Sequence, residues 1–300
     1  MFTIASTVLM VRPAAFGYNA ETAANNSFQV KDANLNLEKV LQEFDGFMQQ
    51  LQQAEVEVIV VNDTIEPQKP DAVFPNNWFC TLPNGKLVLF PMFASNRRLE
   101  RVPEIITQLK EKLGVNEVED WTAFERDNMF LEGTGSMVID HNSKTIYACL
   151  SPRTNKILLE KFAAANGYKT IAFTANDEQG QPIYHTNVMM HVGDGYAVIC
   201  LEAITDEAER EAVVESLKAT NHTIIDITYE QMNHFAGNML QVMSKTGQKI
   251  TVMSQSAYTS LLPLQIETLM TFSQLLPVAI TTIETTGGGS ARCMMAEVFY

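Results

Sequence analysis

The stretch Gly133–Leu150, GTGSMVIDHNSKTIYACL, predicts the structural unit from which the rest of the chain is built. A glycine-containing start leads into an apolar segment, a turn at His141-Asn142-Ser143 and a second apolar segment ending near Cys149. Two short apolar segments joined by such a turn are typical of a β-hairpin. A mostly helical stretch follows the hairpin. We therefore expect a module of two strands, a helix and a further strand.

The same pattern recurs along the chain at a nearly constant spacing. Matching positions at the module starts are 58, 52, 51 and 54 residues apart, at Asn77, Gly135, Asn187, Asn238 and Arg292. A period of this size is typical of repeat and propeller architectures. The last copy lacks its second half, which the N-terminal strand Thr7–Pro13 and its helix would complete. We predict a five-bladed, pseudo-symmetric α/β propeller of repeated ββαβ modules, forming a single domain over residues 1–300.

The composition argues against several kinds of partner. The chain has 35 Asp and Glu against 21 Lys and Arg, a formal net charge of −14 that repels phosphate backbones. No apolar run approaches the roughly 18–20 residues that span a bilayer. The N-terminal MFTIASTVLMVRP lacks the basic region and cleavage site of a signal peptide. We predict no nucleic-acid or membrane partner and a cytoplasmic location, and the sequence leaves a homo-oligomer open.

Three of the four cysteines indicate a reducing compartment. Cys80, Cys149 and Cys200 lie in apolar, strand-like runs, where a buried thiol is the usual state. No two cysteines have C-x-x-C spacing, and the five histidines are not at ligand spacing for a metal. We therefore predict no disulfides, no metal and no organic cofactor.

The fourth cysteine, Cys293, is the candidate nucleophile. It follows Gly287-Gly288-Gly289-Ser290-Ala291-Arg292. A triple glycine allows close backbone approach or a positive φ, so the cysteine after it can be held in a cleft. The alternative is an ordinary buried thiol. Because most thiols are protonated at neutral pH, a nucleophilic cysteine needs a nearby base, a cation or the substrate's own charge.

A pseudo-symmetric ring would bring other polar residues to the same axis. Equivalent positions at the module starts hold Asn76, Asn77, Glu132, His185 and Asn187. An imidazole can take and return a proton near neutral pH, which makes His185 the candidate acid and base. Turns favour Asn in any case, so simple hydrogen bonding in turns is the alternative for the amides and for the histidine.

The chain resembles the guanidino-group-modifying enzymes of the pentein fold, which include arginine deiminases, dimethylarginine dimethylaminohydrolases, amidinotransferases and citrulline utilisation hydrolases. The motifs that carry the resemblance run through nearly the whole chain: Met10–Pro13, Pro70–Asn77, Ser95–Arg98, Leu131–Gly133, Leu150–Asn155 and Cys293. The motif set is most similar to that of the citrulline utilisation hydrolases. The resemblance implies a hydrolase of a non-peptide carbon–nitrogen bond, with Cys293 as nucleophile and His185 as acid and base. Glu132 would orient the histidine or hold a substrate nitrogen.

The resemblance also implies a set of substrate-binding residues. They are Asp71, Asn76, Asn77, Asn187, Arg97, Arg98 and Arg153. Arg153, and Arg97 or Arg98, match positions that bind the substrate's α-carboxylate, for which the arginine fork is suited. The dimethylarginine hydrolases have Glu-Asp where this chain has Asn76-Asn77, and the arginine deiminases have Asp where it has Asn187. Three acidic positions of the family are thus amides.

These amides bear on the substrate. A guanidinium is a cation, poorly compensated when the facing carboxylates are removed. A ureido group is neutral and offers one carbonyl acceptor and several N–H donors, which amides match. We therefore predict hydrolysis of the terminal ureido group of citrulline to ornithine, ammonia and carbon dioxide through a covalent cysteine intermediate. The alternatives are an arginine or methylarginine deiminase, a dimethylaminohydrolase or an amidinotransferase, and a non-catalytic binding protein of the same fold. The loop Asn25–Phe28 is a candidate lid.

Overall fold

The chain forms five three-stranded sheets, one for each module, in the part that the structure describes. The structure is a computed structural model and describes residues 3–113, 115 and 117–299. In chain order the strands are β1 (Thr7–Arg12), β2 (Glu57–Asn62), β3 (Phe79–Thr81), β4 (Leu87–Leu89), β5 (Val118–Asp120), β6 (Val138–Asp140), β7 (Thr145–Cys149), β8 (Lys169–Phe173), β9 (Met190–Gly193), β10 (Tyr196–Ile199), β11 (Thr223–Asp226), β12 (Leu240–Met243), β13 (Lys249–Ser254), β14 (Gln274–Val278) and β15 (Ala296–Val298).

The helices lie between these strands and at the module starts. They are α1 (Ala20–Ala23), α2 (Leu37–Gln53), α3 (Pro103–Leu113), α4 (Gly133–Ser136), α5 (Lys156–Asn166), α6 (Thr186–Met189), α7 (Glu207–Ala219), α8 (Tyr229–Asn233), α9 (Gln255–Ser260), α10 (Pro263–Met270) and α11 (Thr281–Gly287). Within the described ranges, no helix is long and apolar enough to cross a membrane.

Every module repeats one topology. In the sheet β6–β7–β8, β7 pairs antiparallel with β6 and parallel with β8, and α5 makes the crossover between the parallel strands. The sheets β3–β4–β5, β9–β10–β11 and β12–β13–β14 have the same order and the same two kinds of pairing. A parallel pair needs such a crossover, whereas an antiparallel pair needs only a tight turn. The predicted ββαβ module is confirmed.

The two ends of the chain build one module together. Strand β15 pairs antiparallel with β1, with Ala296 opposite Leu9, and β1 pairs parallel with β2. Helix α2 makes the crossover, and its side chains Val40, Phe44 and Phe47 are buried. This arrangement confirms that the N-terminal strand and helix complete the last, half-length copy.

The module starts lie side by side. The first strands of neighbouring modules contact each other, as β15 contacts β3, β6 contacts β9 and β9 contacts β12. The short helix α4 contacts both α6 and the turn Pro75–Asn77. Residues far apart in sequence are thereby brought to one place, which is what positions the candidate site.

The cysteines predicted to be structural are buried. Cys80 lies in β3, Cys149 ends β7 and Cys200 follows β10, and each is at most 3% exposed. All four cysteines of the chain are free thiols. Burial raises the pKa of Cys149 and of Cys200 to about 12, which leaves both thiols protonated and unreactive near neutral pH.

Candidate active site

The segment Gly287–Cys293, called the nucleophile loop below, depends on its three glycines for close packing. Helix α11 ends at Gly287, and Gly288 follows with a left-handed φ of 63°. A Cβ on Gly287 would lie 2.8 Å from the Phe74 ring, and one on Gly289 would lie 3.0 Å from the same ring. Cys293 sits in the turn that follows, is 4% exposed and lines a small cavity. The glycines therefore let the loop approach Phe74 and set Cys293 at the cavity wall.

A histidine–carboxylate pair lies in the same site. His185 precedes α6, and its Nε2 is 2.7 Å from Oε2 of Glu132, which precedes α4. The other oxygen of Glu132 accepts the backbone N–H of Phe93 at 2.9 Å. Nη1 of Arg153 lies 3.5 Å from Glu132 Oε2. Glu132 is thus a fully buried carboxylate whose two oxygens both face donors.

These contacts set the protonation states of the pair. Burial alone would raise the pKa of Glu132, but the charge of Arg153 and the hydrogen bond with His185 outweigh it and lower the pKa to about 2. Burial lowers the pKa of His185 to about 4, although Glu132 opposes the shift. His185 is therefore neutral at pH 7. A neutral ring donates its Nε2–H to the carboxylate, which leaves Nδ1 with a lone pair that can accept a proton.

Two amide groups touch the sulfur of Cys293. Nδ2 of Asn187, on α6, is 3.4 Å from Sγ, and Nδ2 of Asn238 is 3.3 Å from it. Asn187 is predicted as a site residue from its place at a module start and from the family resemblance; it contacts the sulfur but is not among the residues that line the cavity. Asn238 was used only to align the modules, and its contact with sulfur depends on a packing that the sequence does not display.

The paired amides of the first module have different surroundings. Asn77 lines the cavity; its Oδ1 accepts a hydrogen bond from Arg97 at 2.7 Å. Its Nδ2 has no hydrogen-bond partner among the described residues and lies against Gly135, where a Cβ would be 2.3 Å away. A Cβ at Gly135 would also be 2.8 Å from the His185 ring. Asn76 is buried outside the cavity lining and donates to the Thr134 hydroxyl at 3.3 Å.

Arg97 is a buried cation that fixes the first module's side chains. Its Nε donates to Glu100 at 2.8 Å, and its Nη2 donates to the carbonyl of Phe74 at 2.9 Å. Burial lowers the pKa of the guanidinium, but the facing Glu100 carboxylate outweighs burial, and the net shift is upward. Arg97 therefore stays charged and holds Asn77 in one amide orientation.

Asp71 brings a carboxylate to the cavity. Its Oδ2 accepts hydrogen bonds from Asn19 at 2.8 Å and Thr22 at 3.0 Å. Its Oδ1 is buried and has no partner in the part of the chain that the structure describes. Burial raises the pKa of Asp71, against the opposing charge of Arg97. Neither Asn19 nor Thr22 belongs to a recognisable motif, so no pattern in the sequence marked these two residues.

Arg153 is held by the loop that was predicted as a lid. Its Nε donates to Oδ1 of Asn25 at 2.8 Å, and its Nη2 donates to the same oxygen and to the carbonyl of Thr22. The guanidinium also stacks 4.8 Å from the ring of Tyr184. Asn26 donates to the carbonyl of Gly288 at 3.2 Å, which ties the loop to the nucleophile loop.

The cavity is closed in this conformation. Its volume is about 20 Å³, close to the space that a single water needs. Asn26 of the loop Asn25–Phe28 lines the cavity, whereas Phe28 packs outside it with its ring 6.4 Å from that of Tyr184. A substrate of amino-acid size does not fit this volume, and the role of the loop Asn25–Phe28 as a lid stays a prediction.

The structure does not bring Arg98 to the site, so its assignment as a substrate-binding residue is wrong for this conformation. Its Nε donates to the carbonyl of Met92 at 3.0 Å, and the guanidinium lies 3.4 Å from Glu125. Neighbours on a 3₁₀ turn point in different directions, and Arg97 takes the inward position. Sequence spacing alone left the choice between the two arginines open.

No group of three or more His, Cys, Asp or Glu side chains is arranged to hold a metal ion within residues 3–113, 115 and 117–299. The residues that line the cavity supply a thiol, a neutral imidazole, amides, one carboxylate and two guanidinium groups. Such a set can attack a planar carbon centre, transfer protons and hold a zwitterionic substrate.

The chain matches known proteins in sequence family and in fold. The family model for N,N dimethylarginine dimethylhydrolase, eukaryotic, matches residues 12–300. No curated protein matches the sequence. Among solved structures, apo ArgZ, an arginine dihydrolase from the ornithine-ammonia cycle in cyanobacteria, has a TM-score of 0.77 at 18% identity over 98% of this chain and 40% of that chain. The present chain therefore spans less than half of full-length ArgZ.

Two further structures extend the likeness. The N-terminal domain of ArgZ bound to substrate, in a mutant that has serine in place of a cysteine, has a TM-score of 0.77 at 18% identity and is covered over 98% of both chains. A dimethylarginine dimethylaminohydrolase adduct with 4-chloro-2-hydroxymethylpyridine has a TM-score of 0.68 at 14% identity, over 98% of this chain and all of that one. At these identities the likeness shows the fold, which is the five-module propeller predicted from the repeat.

Proposed function

The chain belongs to the N,N-dimethylarginine dimethylhydrolase family of the pentein superfamily, and from this premise we propose that it hydrolyses the terminal ureido group of citrulline. Family membership makes it a cysteine-dependent hydrolase of a carbon–nitrogen bond other than a peptide bond. The products would be ornithine, ammonia and carbon dioxide. The proposed catalytic domain is residues 1–300, of which Met1, Phe2, Gly114, Asn116 and Tyr300 lie outside the described residues.

The unpartnered amide of Asn77 is the observation that carries the proposal. Because Oδ1 takes the Arg97 N–H, the polar atom of Asn77 left without a partner among the described residues is the NH₂ nitrogen, a donor that lies beside Gly135. Asn187 presents the opposite polarity, since its Nδ2 faces sulfur and its buried Oδ1 is an acceptor without a partner among the described residues. One donor and one acceptor near Cys293 thus lack a partner among the described residues, and we propose that both turn to the substrate once the closed cavity opens.

A ureido group complements this pair and a guanidinium does not. The ureido carbonyl can accept from Asn77 while a ureido N–H donates to Asn187. A guanidinium has only donors, so it would leave the Asn77 donor facing another donor. An unsatisfied buried donor costs roughly 1–3 kcal/mol, which is about 5- to 150-fold in affinity. The donor at Asn77 therefore favours the neutral substrate.

The remaining charges suit the amino-acid end of citrulline. The unpartnered Oδ1 of Asp71 can accept from an α-ammonium group. Arg153 offers a fork of donors that Asn25 now occupies, and a carboxylate would be a stronger partner than that amide. Binding would then exchange the lid's amide oxygen for the substrate carboxylate. Both ends of the zwitterion would have a charged partner.

The chemistry follows from the protonation states. Nδ1 of neutral His185 takes the proton of Cys293, and the sulfur attacks the ureido carbon to form a tetrahedral adduct. The imidazolium, stabilised by Glu132, protonates the departing nitrogen as the C–N bond breaks, which leaves a thiocarbamate on Cys293. His185 then takes a proton from water, whose oxygen attacks the same carbon and expels the sulfur. The carbamic acid that results decomposes to carbon dioxide and an amine.

An arginine or methylarginine hydrolase is the second candidate function. Solved structures with this fold include an arginine dihydrolase and a dimethylarginine dimethylaminohydrolase. Two buried carboxylates, Asp71 and Glu132, could offset part of a substrate's positive charge. Such an enzyme would release citrulline from arginine, or ornithine with two equivalents of ammonia.

The direct test is release of labelled carbon dioxide and ornithine from citrulline carrying ¹⁴C in its ureido carbon. We expect equimolar ornithine and labelled carbon dioxide from the wild-type protein and none from Cys293→Ala. Cys200→Ala is the matched control, since it removes a thiol outside the site and should keep the activity. No ornithine from the wild-type protein, or unchanged release by Cys293→Ala, would contradict the proposal.

A further inference from the structure

Asn238 makes a contact with the candidate nucleophile that no motif of the family signalled. It is fully buried at the start of the fourth module, and its Nδ2 lies 3.3 Å from Sγ of Cys293. It reaches this position because Gly237, just before it, packs against the third module. A Cβ on Gly237 would be 2.5 Å from the carbonyl oxygen of Val188. Asn238 is thus inserted between the third module and the nucleophile loop.

The hydrogen bonds of Asn238 fix which end of its amide faces the sulfur. Its Oδ1 accepts the backbone N–H of Arg292 at 3.0 Å, and its Nδ2 donates to the carbonyl of Asn187 at 2.8 Å. If the oxygen and nitrogen of the amide were exchanged, the NH₂ group would face the N–H of Arg292 and the oxygen would face the carbonyl of Asn187, so both hydrogen bonds would be lost. The second N–H of Nδ2 is therefore directed at Cys293. The amide is held at both ends by backbone groups.

This geometry favours a negatively charged sulfur over a neutral one. A thiolate is an acceptor, and it faces two amide N–H groups, from Asn187 and Asn238. Among the described residues a thiol has one acceptor in reach, the oxygen of Asn238 at 3.7 Å, which also takes the N–H of Arg292; this contact is longer than either amide N–H contact to the sulfur. Donors to an anion form stronger hydrogen bonds than donors to a neutral group.

We propose that Asn238 is a positioning residue that stabilises the thiolate of Cys293 and aims it into the cavity. The role differs from that of Asn187, whose Oδ1 has no partner among the described residues, because both polar atoms of the Asn238 side chain bond groups of the chain itself. Asn238 therefore acts on the nucleophile whichever substrate is bound. The inference rests on the proposed role of Cys293 as nucleophile, and not on the choice of citrulline.

The test is the pH profile of alkylation of Cys293 by iodoacetamide, followed by mass spectrometry of its peptide without any substrate. Asn238→Asp keeps the oxygen for Arg292 but replaces the donor with a carboxylate oxygen. Asn238→Ala is smaller, adds no buried charge and also loses the donor, so it serves if the Asp variant does not fold. Asn36→Asp is the matched control, since Asn36 caps α2 at an exposed site and Asp is an equally good cap.

We expect both Asn238 variants to need a pH higher by about one unit or more for the same alkylation rate, with about tenfold slower reaction at pH 7, because each loses a donor to an anion. The plateau at high pH should stay close to that of wild type, which a merely misfolded site would not give. Unchanged profiles in both variants would overturn the role of Asn238 alone. If wild-type Cys293 reacts no faster than Cys80, the nucleophile itself is wrong and the proposed function falls with it.

Discussion

Replacing Asn77 by Asp should shift the substrate preference from a ureido group towards a guanidinium. In the structure, Oδ1 of Asn77 accepts from the buried Arg97 at 2.7 Å, and Nδ2 is the unpartnered donor beside His185. Aspartate has nearly the same shape and keeps an acceptor for Arg97. It converts the unpartnered donor into an acceptor that carries part of a negative charge. The fold is therefore little disturbed while the polarity at the substrate is reversed.

The size of the expected change in kcat/KM follows from the loss of the one donor group of Asn77. A ureido carbonyl that loses its donor and faces a carboxylate oxygen should lose about 1.4–3 kcal/mol, or about 10- to 150-fold in kcat/KM for citrulline. A guanidinium gains an acceptor of opposite charge, so kcat/KM for arginine should rise by a similar factor. Asn36→Asp adds the same charge at the surface and should change neither value.

The assay is ornithine, citrulline and ammonia release from citrulline and arginine at equal concentrations, with circular dichroism to show that the variant is folded. If Asn77→Asp keeps its citrulline kcat/KM within about threefold and gains nothing on arginine, the donor at Asn77 does not select the substrate. The ureido hypothesis would then lose the observation that carries it and would have to be abandoned.

Three further perturbations test other parts of the site. The pKa of His185 in the folded protein is about 4, below its ordinary value of 6.5. Stability linked to this group is therefore present above pH 6.5 and is lost as the pH falls towards 4. The loss in the free energy of unfolding is about 3 kcal/mol. His185→Gln should accordingly show a smaller fall in Tm than wild type between pH 7 and 4.5, and an equal fall would argue that the ring is not buried neutral. Asn25→Ala removes the hydrogen bonds between the predicted lid and Arg153, so the open state of the cavity becomes more populated. Alkylation of Cys293 should then be about tenfold faster. A rate equal to that of wild type would show that this contact does not hold the lid. Gly288→Ala should lose more stability than Gly180→Ala. Both glycines have a positive φ, of 63° and 77°. Of the two, only Gly288 has an atom close to where a Cβ would stand, the Gln29 backbone nitrogen at 2.9 Å. A Gly180→Ala cost of about 1–2 kcal/mol is the reference, and thermal denaturation showing equal losses would contradict the close packing of the nucleophile loop.

The repeat was visible in the sequence because each module must build the same hairpin and crossover from local patterns. Turn residues and apolar alternation at a constant period were enough to predict the five modules and the pairing of β15 with β1. The same periodicity marked His185, Glu132 and Cys293, since they occupy equivalent module starts. Local sequence patterns are enough to predict the fold and the module-start residues where the architecture repeats.

What the sequence could not supply was the direction of individual side chains. Arg97 and Arg98 are neighbours of the same type, and only packing decides that Arg97 enters the site and Arg98 bonds Met92. The contact of Asn238 with sulfur likewise depends on the close approach at Gly237, which involves a different module. Long-range packing, and not local propensity, decides these contacts.

The most direct test of the central claim is the ratio of kcat/KM for citrulline to that for arginine, measured on the wild-type protein with ornithine and citrulline as separate readouts. A donor at Asn77 that meets a carbonyl predicts a ratio above one, by about 10-fold or more. It also predicts ornithine from citrulline and no citrulline from arginine. A ratio below one, with citrulline accumulating from arginine, would contradict the claim and identify a guanidinium as the substrate group.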